Sequence, residues 1–266
     1  DKYSISAMCR WLNLPRSSYY YKTSEPVSEA DLEEKVKQIF LESQSRYGAR
    51  KIKQCLATDG IILSRRRIRR IMKRLNLVSV YQQASFKPYA KGKNEAPIPN
   101  LLDRQFYQEK PLEVIVTDLT YVRVGQRWAY VCLIIDLFNR EIIGVSVGWQ
   151  KTAELVKQAI QSIPYALTKV NLFHSDRGKE FDNQLIDEVL EAFGITRSLS
   201  QAGCPYDNAV AESTYRSFKL EFIHQETFHS LEELTLKTKN YVHWWNHHRI
   251  HGSLNYQTPI AKRVTA

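Results

Sequence analysis

The sequence predicts an α/β fold in which a mixed five-stranded sheet with flanking helices follows an all-α region. Three observations support this prediction. Residues 5–78 carry apolar residues at helical spacing, residues 113–149 hold three β-rich runs joined by short turns, and residues 152–223 alternate between helical and strand-like stretches. Three antiparallel strands followed by alternating helices and strands give a mixed sheet with helices packed on it.

The chain is large enough for more than one domain, and its charge differs between its first and second parts. The 266 residues are 43% hydrophobic, enough for one large domain or two to three small ones with a real core. The net charge of +10 and the pI of about 9.3 favour a polyanionic partner. Residues 1–110 hold 22 basic against 11 acidic side chains, whereas residues 111–266 hold 16 against 17. The basic front and the near-neutral back are therefore expected to do different work.

Four cysteines are spread along the chain without a C-x-x-C pair. This spacing argues against a zinc ribbon or a disulfide framework and is typical of a reducing compartment. The sequence also shows no signal peptide and no long apolar run. These features predict a soluble, cytoplasmic, nucleoid-associated protein that does not contact a membrane.

The first segment, residues 1–28, is expected to hold a short amphipathic helix that stops at Pro15 and a second short piece after it. A longer helix is predicted over about residues 30–44, where apolar residues recur at helical spacing. The stretch "YGARKIKQCLATDG" predicts another helix, which Gly60 ends.

The stretch "SRRRIRRIMKRLN" predicts a third helix with Ser64 as its N-cap. Its apolar residues Ile68, Ile71, Met72 and Leu75 share one face. The remaining positions are almost all basic: Arg65, Arg66, Arg67, Arg69, Arg70, Lys73 and Arg74. We interpret residues 29–78 as a helix-turn-helix DNA-binding domain whose third helix enters the major groove. The alternative is an ordinary solvated helix face, but so many neighbouring cations repel one another unless a polyanion is present.

Residues 79–110 lose periodicity and collect proline, glycine, lysine and asparagine. They are predicted to form a basic, mostly extended linker that runs along a phosphate backbone.

Three carboxylates stand at unusual places in the predicted sheet of residues 111–229. Asp118 lies inside the first strand, Asp176 ends the fourth, and Glu212 lies on the helix after the fifth. A carboxylate in such a place needs a positive partner. Mg²⁺ prefers carboxylate oxygens, and two such ions can clamp the attacking and leaving oxygens of a phosphoryl transfer.

Each of the three carboxylates taken alone is better explained as an ordinary loop or capping acid. Asp136 and Asp182 are interpreted in that way. The combination gains its weight from a resemblance to a known family.

The stretches "TDLTYV", "HSDRGKEF" and "GCPYDNAVAESTYRSFKLE" together resemble the catalytic core of insertion-sequence transposases of the Asp-Asp-Glu type, relatives of retroviral integrases. Thirty-five residues separate Asp176 from Glu212, the spacing that marks this family. Lys219 follows Glu212 by seven residues and matches the family's basic residue two helical turns on. The two side chains share a helix face, so the lysine is expected to touch DNA held at the metals.

The resemblance extends over nearly the whole chain. "YGARKI" and the basic helix are similar to the family's helix-turn-helix, and "WWNHHRIHGSLNYQTP" is similar to its C-terminal ending. Two departures are visible. Residues 114–116 replace a tryptophan often found before the first aspartate, which is conservative packing. Glu180 stands where the family usually has glutamine and adds a negative charge near the metals.

The resemblance implies a ribonuclease H-like core over residues 111–229 and a helical C-terminal segment, residues 230–266, packed on it. It implies that Asp118, Asp176 and Glu212 hold two Mg²⁺ ions per active site, with Mn²⁺ able to substitute. The implied partners are double-stranded DNA, both the element's terminal inverted repeats and the target, a second copy of the chain or more, and an upstream-frame product.

Three further residues are candidates for supporting this site: His174, Arg177 and Asn208. For His174 and Arg177 packing or an ordinary surface charge explains the residue equally well. Two rival functions also stay open. One is a ribonuclease H-like nuclease that cuts without joining, and the other is a DNA-binding module with an inert catalytic half.

Other residues suggest chemistry that the rest of the sequence does not support. His243, His247 and His251 are spaced as zinc ligands could be, but no fourth ligand is evident. The resemblance implies instead that they lie in a C-terminal packing helix. Trp244 and Trp245 are predicted to be core residues. Residues 19–21 are three tyrosines, and without matching arginine and histidine partners a packing or DNA-backbone contact is preferred over a covalent nucleophile.

Overall fold

The computed structural model describes residues 4–20, 28–80, 98–201 and 203–266. In chain order the helices and strands of these residues are α1 (Ile5–Trp11), α2 (Arg16–Tyr20), α3 (Glu29–Glu42), α4 (Ala49–Thr58), α5 (Arg65–Arg74), β1 (Val114–Val124), β2 (Arg127–Asp136), β3 (Ile142–Gly148), α6 (Ala153–Gln161), β4 (Leu172–Ser175), α7 (Gln184–Ala192), β5 (Thr196–Leu199), α8 (Ala209–Glu221), α9 (Leu231–His247) and α10 (Pro259–Val264). Tyr21 and most of the predicted linker lie outside the described residues.

Helices α3, α4 and α5 form the predicted all-α region. Ser64 caps α5 as expected, because its hydroxyl accepts a hydrogen bond from the Arg67 N–H at 3.2 Å. Gly60 ends the turn of chain after α4 with φ of +77°, a backbone conformation that glycine adopts without strain. Ile68, Ile71 and Met72 are buried, so the apolar face of α5 points inward as the spacing predicts.

The back of the chain forms one five-stranded sheet with the order β3-β2-β1-β4-β5. Strands β1, β2 and β3 pair antiparallel, and β4 and β5 continue the sheet in parallel with β1. The predicted mixed five-stranded sheet with flanking helices is therefore confirmed.

Both faces of this sheet are covered, which explains the long apolar run of β2. Val131, Leu133 and Ile135 belong to one hydrophobic cluster, together with residues of α8 and α9. Cys132 and Ile134 alternate with them and belong to a second cluster with residues of α6 and α7. The central strands are thus packed on both faces. They therefore give a rigid support to the residues that they carry.

The helical front end is packed onto the half of the chain that forms the sheet. The buried residues of α3, α4 and α5 lie in the same hydrophobic cluster as those of α8 and α9. Tyr47 bridges the two parts, because its hydroxyl donates to the His248 carbonyl and accepts from the Ile250 N–H, both at 3.0 Å. Arg46 adds a hydrogen bond from Nε to the Glu221 carbonyl at 3.0 Å.

Some expected boundaries were wrong. The pattern "TAELVKQAIQSIPYAL" predicts a helix over residues 152–167, but α6 ends at Gln161, with Pro164 just beyond it. Asp176 follows β4 by one residue instead of ending it. The pattern "PYDNAVAESTYRSFKLEFI" predicts a helix from residue 205, but residues 205–208 form a 3-10 turn and α8 begins at Ala209. In the described ranges no helix is long and apolar enough to cross a membrane.

Candidate active site

Parallel pairing brings the two aspartates to equivalent positions on neighbouring strands. Val116 of β1 is in register with His174 of β4. Asp118 and Asp176 each lie two residues further along, Asp118 within β1 and Asp176 directly after β4, so the register places them side by side at the end of β4. This arrangement follows from the register and not from sequence distance.

Asp118 is half-buried and surrounded by negative charge. Burial, followed by the charges of Asp176 and Glu212, raises the pKa of its carboxyl to about 7. The hydrogen bond from the Leu119 N–H to Oδ1, at 2.7 Å, and the ammonium of Lys219 act in the opposite direction. Its second carboxylate oxygen accepts no hydrogen bond from a described residue.

Asp176 has a similar environment. Burial raises the pKa of its carboxyl, the Gly178 N–H donates to Oδ1 at 3.0 Å, and the nearby Glu180 raises the pKa further. Glu180 is itself buried and forms an ion pair with Lys151 at 2.7 Å. The negative charge that this glutamate adds to the site is therefore met by a lysine from the loop before α6.

Gly178 lies directly against the Glu180 carboxylate. A Cβ at position 178 would stand 2.4 Å from Oε1 of that carboxylate. A side chain there would require the flexible end of Glu180 to shift, and such a shift would disturb its ion pair with Lys151.

Two hydrogen bonds fasten α8, which carries Glu212, to β1. Asn208, at the start of α8, donates from Nδ2 to the Thr117 carbonyl at 2.9 Å. Tyr215 is fully buried; its hydroxyl accepts from the Leu133 N–H at 2.5 Å and donates to the Asp118 carbonyl. These two contacts flank Glu212 along the helix and fix its position relative to Asp118.

Tyr215 was missed by the sequence analysis. A tyrosine three residues after Glu212 is easily taken for an apolar core residue, and it is one over most of its ring. The signal was its hydroxyl, since a buried phenol needs a hydrogen-bond partner. Asn208, which was a candidate for site support, also keeps one unsatisfied atom, because its buried Oδ1 has no hydrogen-bond partner among the described residues.

Glu212 and Lys219 lie on the same side of α8. Glu212 is exposed, although partial burial still raises the pKa of its carboxyl. The Lys219 ammonium lies 5.2 Å from the ring centre of Tyr121 on β1 and lowers the pKa of Asp118. The lysine is therefore half-buried beside Tyr121, close enough to Asp118 to act on its charge.

The carboxylates have the oxygen donors that a hard divalent cation prefers, but their side chains are not placed to bind one together. Among the described residues, no three His, Cys, Asp or Glu side chains lie close enough together to hold a metal ion as they stand. Three carboxylates are nevertheless electrostatic neighbours at Asp118, and Asp176, like Asp118, keeps one oxygen that no described donor binds. Oxygen donors of this kind suit Mg²⁺.

His174 and Arg177 are held by the protein itself. Both ring nitrogens of the fully buried His174 contact hydroxyls of β5 and its end, Ser198 at 2.8 Å and Ser200 at 3.0 Å. Burial lowers the pKa of His174 to about 4, so it is neutral near pH 7. Arg177 donates to the Ile98 carbonyl at 2.9 Å. For both residues the structure favours the packing alternative.

The cations of α5 fall into three groups. Arg67 and Arg74 pair with acidic residues of α3, namely Glu29 for both and Glu33 for Arg74. Arg65 and Arg69 face a cleft between α5 and the catalytic half. The remaining three, Arg66, Arg70 and Lys73, are exposed and form no ion pair with a described residue. All seven side chains are exposed, but three of them neither form an ion pair with a described residue nor line this cleft.

The other acidic residues have structural contacts. Asp136 is fully buried and accepts hydrogen bonds from the Leu112 and Phe138 N–H groups and from Arg263. Asp182 pairs with Arg197 at 2.8 Å.

The aromatic residues of the C-terminal segment mostly pack. Trp244 and Trp245 are buried, as predicted. His243 and His247 stack on α9 with ring centres 4.4 Å apart. His251 lies beyond the end of that helix, where its ring meets Trp245 edge-on at 4.7 Å, so the assignment of all three histidines to one packing helix was wrong.

Family models match three parts of the chain. Residues 108–205 and 193–259 match two models described as an integrase core domain, and residues 27–85 match an HTH-like domain. The chain is 30% identical to InsK of insertion sequence element IS150 from Escherichia coli (strain K12), over 98% of this chain and 94% of that protein.

Two further likenesses extend the comparison. The chain is 29% identical to the transposase for insertion sequence element IS904 of Lactococcus lactis subsp. lactis (strain IL1403), over 89% of this chain and 95% of that one. Among solved structures, the HTLV-2 integrase catalytic core domain in complex with magnesium aligns with a TM-score of 0.43 at 16% identity, over 57% of this chain and 97% of that one.

Proposed function

The chain belongs to the insertion sequence transposases, and from this premise we propose that Asp118, Asp176 and Glu212 form the site that cleaves and joins DNA at the ends of an insertion element. The observation that carries the proposal is the pKa of Asp118. It is raised to about 7 by burial and by the charges of the other two carboxylates. Burial and neighbouring negative charges disfavour the ionised form of the Asp118 carboxyl, and a cation bound beside it would offset both effects.

Asp118, Asp176 and Glu212 would hold two Mg²⁺ ions, with Mn²⁺ able to substitute. When bound, such ions supply Lewis-acid stabilisation of the attacking and leaving oxygens of a phosphoryl transfer. Glu212 is the exposed member of the set, on a helix already fastened to β1 by Asn208 and Tyr215. The proposal therefore requires only the Glu212 side chain to turn toward the aspartates, while the backbone stays in place.

The chain's own residues position the substrate. Lys219 lies beside Tyr121 and acts electrostatically on Asp118, so its ammonium can meet a phosphate of the reactive strand. Tyr215 has no free donor for DNA, because its hydroxyl is used between β1 and β2. We assign Tyr215 and Asn208 to positioning and Lys219 to substrate contact.

The DNA partner is proposed in two parts, the terminal inverted repeats and the target duplex. The HTH-like domain supports recognition of the former, with Arg66, Arg70 and Lys73 free on the exposed face of α5. Joining two element ends to one target requires at least two protomers, so we propose that the active form is at least a dimer on DNA. An upstream-frame product is a further proposed partner.

A strand-transfer assay tests this function against its rivals. Duplexes carrying the inverted repeats that flank the gene, pre-cleaved to expose a 3′-hydroxyl, are incubated with a target plasmid and Mg²⁺. We expect joined products from the wild-type chain, and none from Asp176→Asn, which should still bind DNA. Cleavage without joining would instead indicate a nuclease, and binding without either reaction would indicate an inert module.

A further inference from the structure

A cleft of about 750 Å³ separates the helical front end from the catalytic half. One wall is the first turn of α4 together with Arg65 and Arg69 of α5. The opposite wall is the face of α8 that carries Ser213 and Ser217. A third wall comes from the chain after α9, including Ser253. We call it the basic cleft, after six of its lining residues: Arg46, Arg50, Lys51, Arg65, Arg69 and Arg140.

The positive charge of the basic cleft is not balanced within the described part of the chain. Glu221 is the one carboxylate among the lining residues, and it is already taken. Arg249 binds both of its oxygens, at 2.7 and 2.9 Å, and the Tyr241 hydroxyl donates to it at 3.0 Å. None of the six cations that define the cleft forms an ion pair with a described acidic side chain. Cations gathered in this way favour an anionic occupant.

Local geometry adds to the charge. Gly48 is the N-cap of α4 and lines the cleft, and no side chain caps this helix start. The N–H groups of the first helical turn therefore lack a side-chain acceptor, and an anion at this end would find them. Burial and the charge of Arg249 lower the pKa of Lys51, another lining residue, to about 7, an effect that a bound anion would reverse.

The walls are held in place before anything binds. Tyr47 and Arg46 hydrogen-bond across the boundary to the His248, Ile250 and Glu221 backbones, and the Arg46 guanidinium lies 4.1 Å from the ring centre of Trp244. A site formed from distant parts of the chain and fixed by such contacts loses little conformational entropy on binding.

We infer that the basic cleft binds a stretch of DNA phosphate backbone, so that one duplex is held at once by α5 and by the face of the catalytic helix α8 that lies away from Glu212. A helix lying in a major groove has a phosphate strand on either side of it. If Arg66, Arg70 and Lys73 face the groove, the strand on the side of Arg65 and Arg69 runs into this cleft. The guanidinium groups suit phosphate oxygens, with which they form paired hydrogen bonds.

The inference rests on the proposed function only in taking DNA as the partner. Occupation of the cleft would hold α8 between DNA on one side and β1 on the other. DNA binding at the front end would thereby fix the helix that carries Glu212. Chemistry at the carboxylates is not needed to test this, because binding can be measured without it.

The test uses the full chain carrying Asp176→Asn, a short labelled duplex with the flanking inverted repeat, and EDTA. Arg50→Ala combined with Arg65→Ala removes two exposed cleft cations. Each lost phosphate contact should lower the slope of log K against log salt by about 0.9, and weaken binding about eightfold at 0.1 M salt. Lys53→Ala with Lys239→Ala, both exposed and outside the cleft, is the matched control for lost charge.

A second pair of variants tests the wall of the basic cleft that the chain after α9 forms. Ser253→Glu places a carboxylate at the exposed far side of the cleft, and Ser253→Gln adds a side chain of the same size without charge. We expect the glutamate to weaken duplex binding at least tenfold relative to the glutamine. Equal binding by these two variants, or a salt slope for the arginine pair no lower than that of the lysine pair, would overturn the inference.

The alternative occupant that this test distinguishes is an acidic segment of a second copy of this chain. In that case the arginine pair would alter the sedimentation of the DNA-free chain and leave duplex binding unchanged, which also overturns the inference. Loss of strand transfer in Asp118 variants, or its absence in the wild type, bears on the carboxylate proposal alone, since the binding assay contains neither metal nor reaction.

Discussion

Asp118→Asn should stabilise the metal-free protein above neutral pH. In the fold, burial and the charges of Asp176 and Glu212 raise the pKa of this carboxyl from 3.8 to about 7. The folded state therefore binds the proton more tightly than the unfolded chain does. The stability that this difference contributes is fully present below about pH 4 and is lost as the pH rises to about 7.

The magnitude follows from the same pKa. At 1.36 kcal/mol per pH unit, the rise to about 7 corresponds to at most ~4 kcal/mol of stability lost at pH 8. Asparagine carries no charge to lose, and its Oδ1 can still accept the hydrogen bond that Leu119 donates to Asp118. The variant should thus exceed the wild type in free energy of unfolding at pH 8 and equal it at pH 4.

Urea unfolding in EDTA at the two pH values measures this difference. Added Mg²⁺ should then stabilise the wild type more than the variant, since a ligand that binds only the folded state raises its stability. Asp59→Asn, at an exposed carboxylate, is the control and should change stability by less than about 0.5 kcal/mol. If Asp118→Asn is no more stable than the wild type at pH 8, burial and the neighbouring charges do not raise the pKa of Asp118 as argued.

Three further variants test other contacts of the structure. Lys219→Ala should lower the rate of strand transfer about a hundredfold and change the free energy of unfolding by less than about 0.5 kcal/mol. A wild-type rate would show that this lysine is an ordinary surface residue. Lys151→Ala should cost about 1–3 kcal/mol in urea unfolding by leaving Glu180 unpaired, and adding Glu180→Gln should recover most of it; no recovery would contradict the pairing. Arg249→Met should cost about 3–5 kcal/mol, because it leaves Glu221 charged and buried, and a loss below about 1 kcal/mol would refute this.

The sequence was sufficient for the elements whose patterns are long and periodic. The apolar positions of α5 repeat over the whole helix, and the β-branched and apolar residues of β1 continue for long enough to identify a strand. The order of runs then implied a mixed sheet. Asp118 and Asp176 stood out because a carboxylate at such a strand position is costly. The parallel register of β1 and β4 explains why the two residues lie side by side.

Long-range pairing could not be predicted from the sequence. Arg67 and Arg74 look like the five other cations of α5 in the sequence. They nevertheless form ion pairs with acidic residues of α3, 38 or more positions earlier in the chain. A local pattern shows which face of a helix is polar but not which neighbour meets it. The basic cleft was hidden for the same reason, since its walls come from the front end, from α8 and from the chain after α9.

Glu180 shows how a departure from the family pattern is compensated in space. The sequence indicates an extra negative charge beside Asp176, which would disfavour the charged carboxylate that a metal needs. Lys151 binds Glu180 at 2.7 Å and also acts on Asp176 in the opposite direction, so the pair adds little net charge. Gly178 leaves room for this carboxylate, because a Cβ there would stand 2.4 Å from it. Lys151, Gly178 and Glu180 therefore act as one unit, and a change at any one of them should be judged with the other two.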